Sequence, residues 1–322
     1  MNARSESHVP EPRVVALGGG HGLAVSLAAL RGVTSRLTAV VTVADNGGSS
    51  GRLREEFGVL PPGDLRMALA AMCGDDRWGR TWAEVLQHRF SSSGGLDGHA
   101  VGNLLILALW ELLGDHVNGL DWVAGLLGAR GRVLPMALTP MDIVADVRGL
   151  DPEHPELVSG VRGQVQVATT PGEVLGVRLD PQAPEACPEA VAAIEAADWV
   201  VLGPGSWYSS VIPHLLVPGL RKALSDTSAR LLVTMNLEAQ PGETDGWTTA
   251  DHLAVLAEQA PGLRVDTVLA QRDSVPDRAR LQRVAADLDA RLDLADVADH
   301  ARAGTHDAGK LAAAYARLMR GN

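Results

Sequence analysis

Four glycines within five positions, Gly18, Gly19, Gly20 and Gly22, follow the apolar run Val14–Leu17 and precede a helix-compatible stretch that starts near Leu23. Glycine lacks a Cβ, so an anion can come close to the backbone N–H groups. The start of a helix adds partial positive charge at the same place. The chemistry that suits this run is phosphate or nucleotide binding. It is neither the full G-x-G-x-x-G fingerprint nor a P-loop, since no Gly-Lys-Ser/Thr follows. A tight turn packed on a sheet would use the same residues, so other parts of the chain must decide.

Three more polar runs carry suitable groups. Asp45-Asn46-Gly47-Gly48-Ser49-Ser50-Gly51 offers a carboxylate, an amide and two hydroxyls, with Arg52 and Arg54 directly after it. Gly203-Pro204-Gly205-Ser206 offers bare backbone and a hydroxyl, with Trp207 and Tyr208 beyond. Asn236 to Thr244 holds Asn236, Gln240, Glu243 and Thr244. Asp64 and Arg66 follow Pro61-Pro62-Gly63, and His99 and Asn103 stand at the entry of another helix-like stretch. Arginine forks match phosphate oxygens, which makes Arg52 and Arg66 candidates. Asp45 stands where a dinucleotide fold places its ribose-binding acid. The set fits a phosphorylated nucleotide such as a nucleotide sugar. Each residue also has a plainer use. Arg52 and Arg54 suit a solvated helix face, Asp64 an N-cap, Tyr208 a core position, and Glu243 and Thr244 a turn.

These residues need elements that bring them together. Strands are expected at about 13–18, 37–43, 199–202, 231–234 and 265–270. Helices are expected at about 22–31, 188–196, 249–260 and 307–319, with a mostly helical stretch at 64–128. Three β-like runs, 132–138, 142–149 and 161–169, read as a smaller antiparallel section with Pro171-Gly172 as a turn. The rhythm is that of an α/β fold, a doubly wound, mostly parallel sheet with helices on both faces. In such a sheet the loops after the strands lie on one edge, where ligands bind. Four polar or glycine-rich loops would therefore line one crevice.

Composition sets bounds on this reading. The 322 residues are 46% hydrophobic, enough for a sizeable core, and the net charge is −11. An acidic chain is a poor non-specific binder of nucleic acid or anionic membrane, so neither is expected as a partner. Cys73 and Cys187 lack C-x-x-C spacing and suggest neither a disulfide framework nor a zinc site. The first twelve residues lack the basic and apolar regions of a signal peptide, and no uncharged apolar run reaches membrane-span length. The expected location is cytoplasmic. The expected organisation is a disordered lead-in at 1–12 and one α/β domain at 13–322. That domain carries a helical insertion at about 64–128, a small β section at about 132–180, and no appended tail domain.

Taken together, the motifs resemble the gluconeogenesis factor family, the YvcK-like branch of the CofD-like proteins. The matching stretches are Gly18 to Leu23, Val41 to Arg54, Pro61 to Arg66, Gly98 to Leu105, Gly203 to Ser210 and Asn236 to Thr244, with Asp251-His252 beyond. The resemblance implies a Rossmann-like fold and a cytoplasmic factor needed for growth and cell shape on gluconeogenic carbon sources, tied to cell-wall precursor supply. It implies a UDP-sugar ligand such as UDP-GlcNAc. The other branch of the superfamily transfers a phospholactyl group from a nucleotide-activated donor and uses a divalent metal held by aspartates. Two positions depart from the commoner pattern: His21 stands where many members have Thr, and Asn46 replaces a second Asp. Losing a carboxylate weakens a Mg²⁺ site, because hard cations prefer anionic oxygens.

The expectation is thus a nucleotide-sugar binder without turnover, with no assigned catalytic residue and no resident metal. A dinucleotide ligand is the variant of that reading. An unidentified regulatory protein and a second copy of the chain are the expected partners. The alternative is a metal-dependent transferase in which Asp45 and Asp64 hold Mg²⁺ and His99 moves a proton.

Overall fold

The structure, a computed structural model, describes residues 11–240 and 242–320. Most of the expected lead-in therefore lies outside the described residues. The chain opens with β1 (Val14–Gly18), α1 (Gly20–Leu30) and β2 (Leu37–Val41). Next come α2 (Gly48–Phe57), α3 (Gly63–Met72), α4 (Arg77–Gln87), α5 (Val101–Leu113) and α6 (His116–Leu127). After them run β3 (Arg132–Pro135), β4 (Asp142–Arg148), β5 (Val158–Arg162), α7 (Gln164–Ala168), β6 (Glu173–Asp180), α8 (Pro188–Glu195) and β7 (Trp199–Leu202). A π-helical turn at Trp207–Val211 leads into α9 (Ile212–Leu216) and α10 (Pro218–Asp226). The chain finishes with β8 (Arg230–Thr234), α11 (Thr249–Gln259), β9 (Thr267–Gln271), α12 (Arg278–Asp287), β10 (Arg291–Ala295) and α13 (Ala308–Arg320).

β1 reads Val-Val-Ala-Leu-Gly and β7 Trp-Val-Val-Leu, and every residue of both is buried. Unbroken apolar runs of this kind belong to parallel strands covered on both faces. They form the middle of a seven-stranded, fully parallel sheet in the order β10-β9-β8-β7-β1-β2-β3. The order grows outward from β1 in one direction and then, from β7, in the other. The point of reversal is the gap between β1 and β7, where doubly wound sheets bind ligands.

Three expectations need correction. The run at 132–138 does not join the antiparallel section: Thr38 to Val41 of β2 pair in parallel with Arg132 to Pro135, because β3 is buried beyond its first residue and suits the main sheet. The run at 161–169 is strand only to Arg162; Gly163 then takes a positive φ and a short helix, α7, follows. The small sheet is β5-β4-β6, antiparallel throughout. Between 278 and 295 the sequence reading assigns nothing, yet α12 and β10 lie there. Only Leu281 and Ala285 of α12 are buried, and β10 is an edge strand with no fully buried residue, so neither has a strong apolar pattern. Among the described residues no helix is long and apolar enough to cross a membrane.

Candidate nucleotide crevice at the sheet switch point

A cavity of about 480 Å³ opens at the β1/β7 reversal. The loops after β1, β7 and β8 line it, together with Asp64, Gln164 and the segment Gly304 to His306. Gly19 is the N-cap of α1 and brings no side chain to cap the first turn; the Gly20 N–H turns to the Asp64 carboxyl, which leaves the helix-start amides of His21 and Gly22 for the crevice. Gly20 has φ +56, a conformation that glycine adopts without strain. At Gly22 a Cβ would run into the Pro204 carbonyl oxygen and lie 2.6 Å from the Gly205 Cα. The two glycine loops thus touch backbone to backbone, and that approach requires glycine at position 22.

The β7 loop is held by the β8 loop. Asn236 accepts a hydrogen bond from the Gly205 N–H (2.9 Å) and donates to the Gly205 carbonyl (2.8 Å). Glu243 accepts from the Tyr208 N–H (2.7 Å), the Ser209 N–H (3.0 Å) and the Ser206 hydroxyl (2.6 Å). Gln240 accepts from the Trp207 N–H at 3.2 Å. Thr244 accepts from the Gln240 N–H (2.9 Å) and meets His252 Nε2 at 3.1 Å. Tyr208 is buried against Trp247. Glu243, Thr244 and Tyr208 therefore frame the crevice and do not line it. Gly19, Gly20, Gly22, Asp64, Pro204, Gly205, Ser206, Asn236 and Gln240 do line it, while Gly18 and Gly203 lie just below at the strand ends.

The remaining candidates form a separate polar seam. Ser49 is buried in the first turn of α2; its hydroxyl meets His99 Nδ1 (3.0 Å) and accepts from Asn103 Nδ2 (2.9 Å), tying α2 to the start of α5. Ser50 is buried against Gly63. Asp45 accepts from the Gly47 N–H (2.8 Å). Asn46 donates to Gln166 (2.8 Å) and accepts from the Val165 N–H (3.1 Å), which fastens α7 in place. The expected arginine clamp is not formed. Arg52 donates to the Asp97 carbonyl (2.6 Å), Arg54 pairs with Asp142 (2.8 Å), and the buried Arg66 donates to Gln87. Among the described residues that line the crevice there is no Lys or Arg. Burial, and then the Arg52 charge, hold His99 below the usual histidine range, which suits a structural neutral imidazole.

Asp64 is the electrostatic centre of the site. Pro62, and not Asp64, is the N-cap of α3, so the carboxyl does not cap its own helix. Its Oδ2 is buried with no hydrogen-bond partner among the described residues. Burial first, and then the nearby Asp45 charge, push its carboxyl up to about 7; a hydrogen bond from the Gly20 backbone and the Arg66 charge pull the other way. Among the described residues no three His, Cys, Asp or Glu side chains are grouped to hold a metal. Asp64 and Glu238 line the crevice, and Asp45 lies behind it, close enough to raise the Asp64 carboxyl.

Gln164, Glu238, Thr305 and His306 also line the crevice and are absent from the sequence expectation. Gln164 arrives on the α7 turn, and His306 on the segment before α13. Neither stands in a glycine-rich loop after a parallel strand, which is the signal that locates the others.

Comparison with known proteins agrees with this architecture. Residues 14–307 match the family described as 2-phospho-L-lactate transferase CofD. A Mycobacterium leprae relative that carries the gluconeogenesis-factor name is 54% identical over 316 residues, covering 97% of this chain and 87% of its own. The gluconeogenesis factor of Bacillus subtilis is 35% identical over 272 residues, covering 84% and 82%. The crystal structure of a UPF0052-family protein from Bacillus halodurans aligns with a TM-score of 0.84 at 32% identity, over 95% of this chain and 99% of that one. The chain belongs to the CofD-like superfamily and, within it, to the gluconeogenesis factor family.

Proposed function

We propose that this gluconeogenesis-factor relative binds a nucleotide sugar of the UDP-GlcNAc kind and works as a cytoplasmic regulator of cell-wall precursor supply and cell shape during gluconeogenic growth, through a protein partner. One observation carries the reading. The start of α1, with the His21 and Gly22 amides, and the Gly205–Ser206 backbone meet across the sheet reversal in a cavity of about 480 Å³. Helix-start amides and bare glycine backbone suit a diphosphate, and the volume suits a ligand with groups on either side of it. A bound ligand would bridge the loops after β1, β7 and β8, and that bridging is the means by which occupancy would change a partner-facing surface.

A second reading rests on a different observation, the unpartnered Oδ2 of Asp64 beside Asp45. Two carboxylates with substrate phosphates are a common Mg²⁺ environment. In that reading Asp64 and Asp45 hold the ion, which supplies charge neutralisation to a phosphoryl group of a nucleotide-activated donor. Crevice walls without a Lys or Arg are compatible with it.

Calorimetric titration with UDP-GlcNAc, UDP-glucose, GDP and NAD, each with and without Mg²⁺, separates the two. Saturable binding of a UDP-sugar that Mg²⁺ leaves unchanged is the expected result. Binding that requires Mg²⁺, or that favours the guanosine nucleotide, supports the transferase. No binding of any of the four overturns the nucleotide-sugar reading.

A further inference from the structure

Among the described residues that line the crevice there is no Phe, Tyr or Trp. The whole chain carries seven Trp, two Tyr and two Phe, so a flat ligand ring that packs on an aromatic surface has few places to go. One of them lies next to the crevice. A second, smaller cavity of about 150 Å³ opens between the loops after β8 and β9, at the start of α11 and on the same edge of the sheet. Asn236, Leu237, Glu238 and Ala239 line both cavities, so one stretch of the β8 loop is their common wall. A ligand that lies across this loop puts one end in each.

The residues of the smaller cavity suit a planar ring. Trp247 stands half-buried at its side, and Pro276 adds apolar surface. Tyr208 and His252 meet the indole at 72° and 70°, so neither ring is stacked on it. Most polar groups nearby are already spent. The Thr248 hydroxyl donates to Asp251 (2.6 Å) and the Thr249 hydroxyl to the Ser274 carbonyl (3.3 Å). His252 uses both ring nitrogens, on the Thr248 carbonyl (2.9 Å) and the Thr244 hydroxyl (3.1 Å). Two donors are left over. The Trp247 indole N–H and the Ser274 hydroxyl make no hydrogen bond among the described residues, and neither is sealed from solvent. An aromatic face with unspent donors at its margin matches a base whose ring carbonyls accept hydrogen bonds. A diphosphate suits the helix-start amides of the larger crevice instead. The smaller cavity has about a third of the crevice volume, which favours one ring over two.

We propose that this smaller cavity is the nucleobase subsite, that the base packs on the indole of Trp247, and that the size of the cavity selects a pyrimidine over a purine. The assignment rests on the nucleotide-sugar reading and adds to it where the base lies and which class of base is taken.

The first test is titration of wild-type, Trp247→Phe and Trp247→Leu proteins with UDP-GlcNAc. Leucine removes the aromatic face and is expected to cost about tenfold or more in affinity, the size of one lost base–aromatic contact. Phenylalanine keeps a flat ring and is expected to lose less. A folded leucine variant that binds like wild type overturns the subsite while leaving the nucleotide-sugar reading intact. Wild-type protein should also bind UDP-GlcNAc about tenfold or more tightly than ADP-GlcNAc, which has the same sugar and diphosphate; equal affinity overturns the pyrimidine selection. Wild-type protein that does not bind UDP-GlcNAc overturns the nucleotide-sugar reading, and the subsite with it. NMR of tryptophan-labelled wild type needs no variant to fold. The Trp247 indole signal is expected to move when UDP-GlcNAc is added and to show nuclear Overhauser contacts to the uracil protons. A Trp247 ring that makes no contact to uracil in the bound state overturns the subsite.

Discussion

At the scale of single residues, Asp64 makes the sharpest prediction. An aspartate in an unfolded chain ionises near 3.8, and here burial and Asp45 raise the carboxyl to about 7. The folded state therefore holds the proton more tightly than the unfolded state. The stability this contributes is full below 3.8 and is lost as the pH rises from there through about 7. Asparagine keeps a neutral side chain at every pH. Ligand-free Asp64→Asn should match the parent near pH 4 and exceed its stability by roughly 2–4 kcal/mol near pH 8. Urea unfolding across that range checks it, and a gap that stays constant with pH would contradict it. The types of the crevice residues are legible in the sequence, since Gly19, Gly20, Gly22 and Asp64 sit in runs that few other structures need. Their partners are not. Ser49 meets His99 and Asn103 across fifty or more positions of chain, and Arg52 turns to the Asp97 carbonyl. Such pairings follow from how α2 and α5 pack, which no local pattern encodes.

At the scale of elements, the loop after β7 keeps its shape because the loop after β8 satisfies its amides. Glu243 serves three donors with two oxygens, and burial pushes its carboxyl up while those bonds pull it down. Leucine is of similar length but offers none of the three an acceptor. Glu243→Leu should destabilise the protein by about 1–3 kcal/mol, the cost of buried donors left unmatched. It should also weaken UDP-GlcNAc binding, because Ser206 and the Tyr208–Ser209 backbone lose their support. Thermal melts and titration on the same preparation test both parts. Unchanged affinity in a destabilised variant would show that the β7 loop holds its shape by itself. The elements that carry these loops are legible, since β1, β2, β7 and β8 are compact apolar runs that end in glycine or polar residues. The antiparallel section was harder to bound. β3 stands directly before β4 and β5 in the chain, and its burial and its register with β2 assign it to the main sheet.

At the scale of the whole molecule, α13 joins parts of the chain that are distant in sequence. Tyr315 is fully buried on this helix, and its hydroxyl lies 3.0 Å from both the Ser26 hydroxyl of α1 and the Thr234 hydroxyl of β8. The helix behind the glycine loop and the strand before the Asn236 loop are thus pinned to one atom. The same terminal segment delivers His306 to the crevice. Tyr315→Phe removes that atom and leaves two buried hydroxyls without it, so the variant should lose about 1–3 kcal/mol of stability. The shape of the ring is kept and no crevice group is touched, so affinity for UDP-GlcNAc should change little. The ligand-induced rise in stability depends only on concentration and affinity. Parent and variant should therefore melt at different temperatures without ligand and gain nearly equal stabilisation when it is added. If the gain collapses along with the stability, α13 also sets the geometry of the crevice.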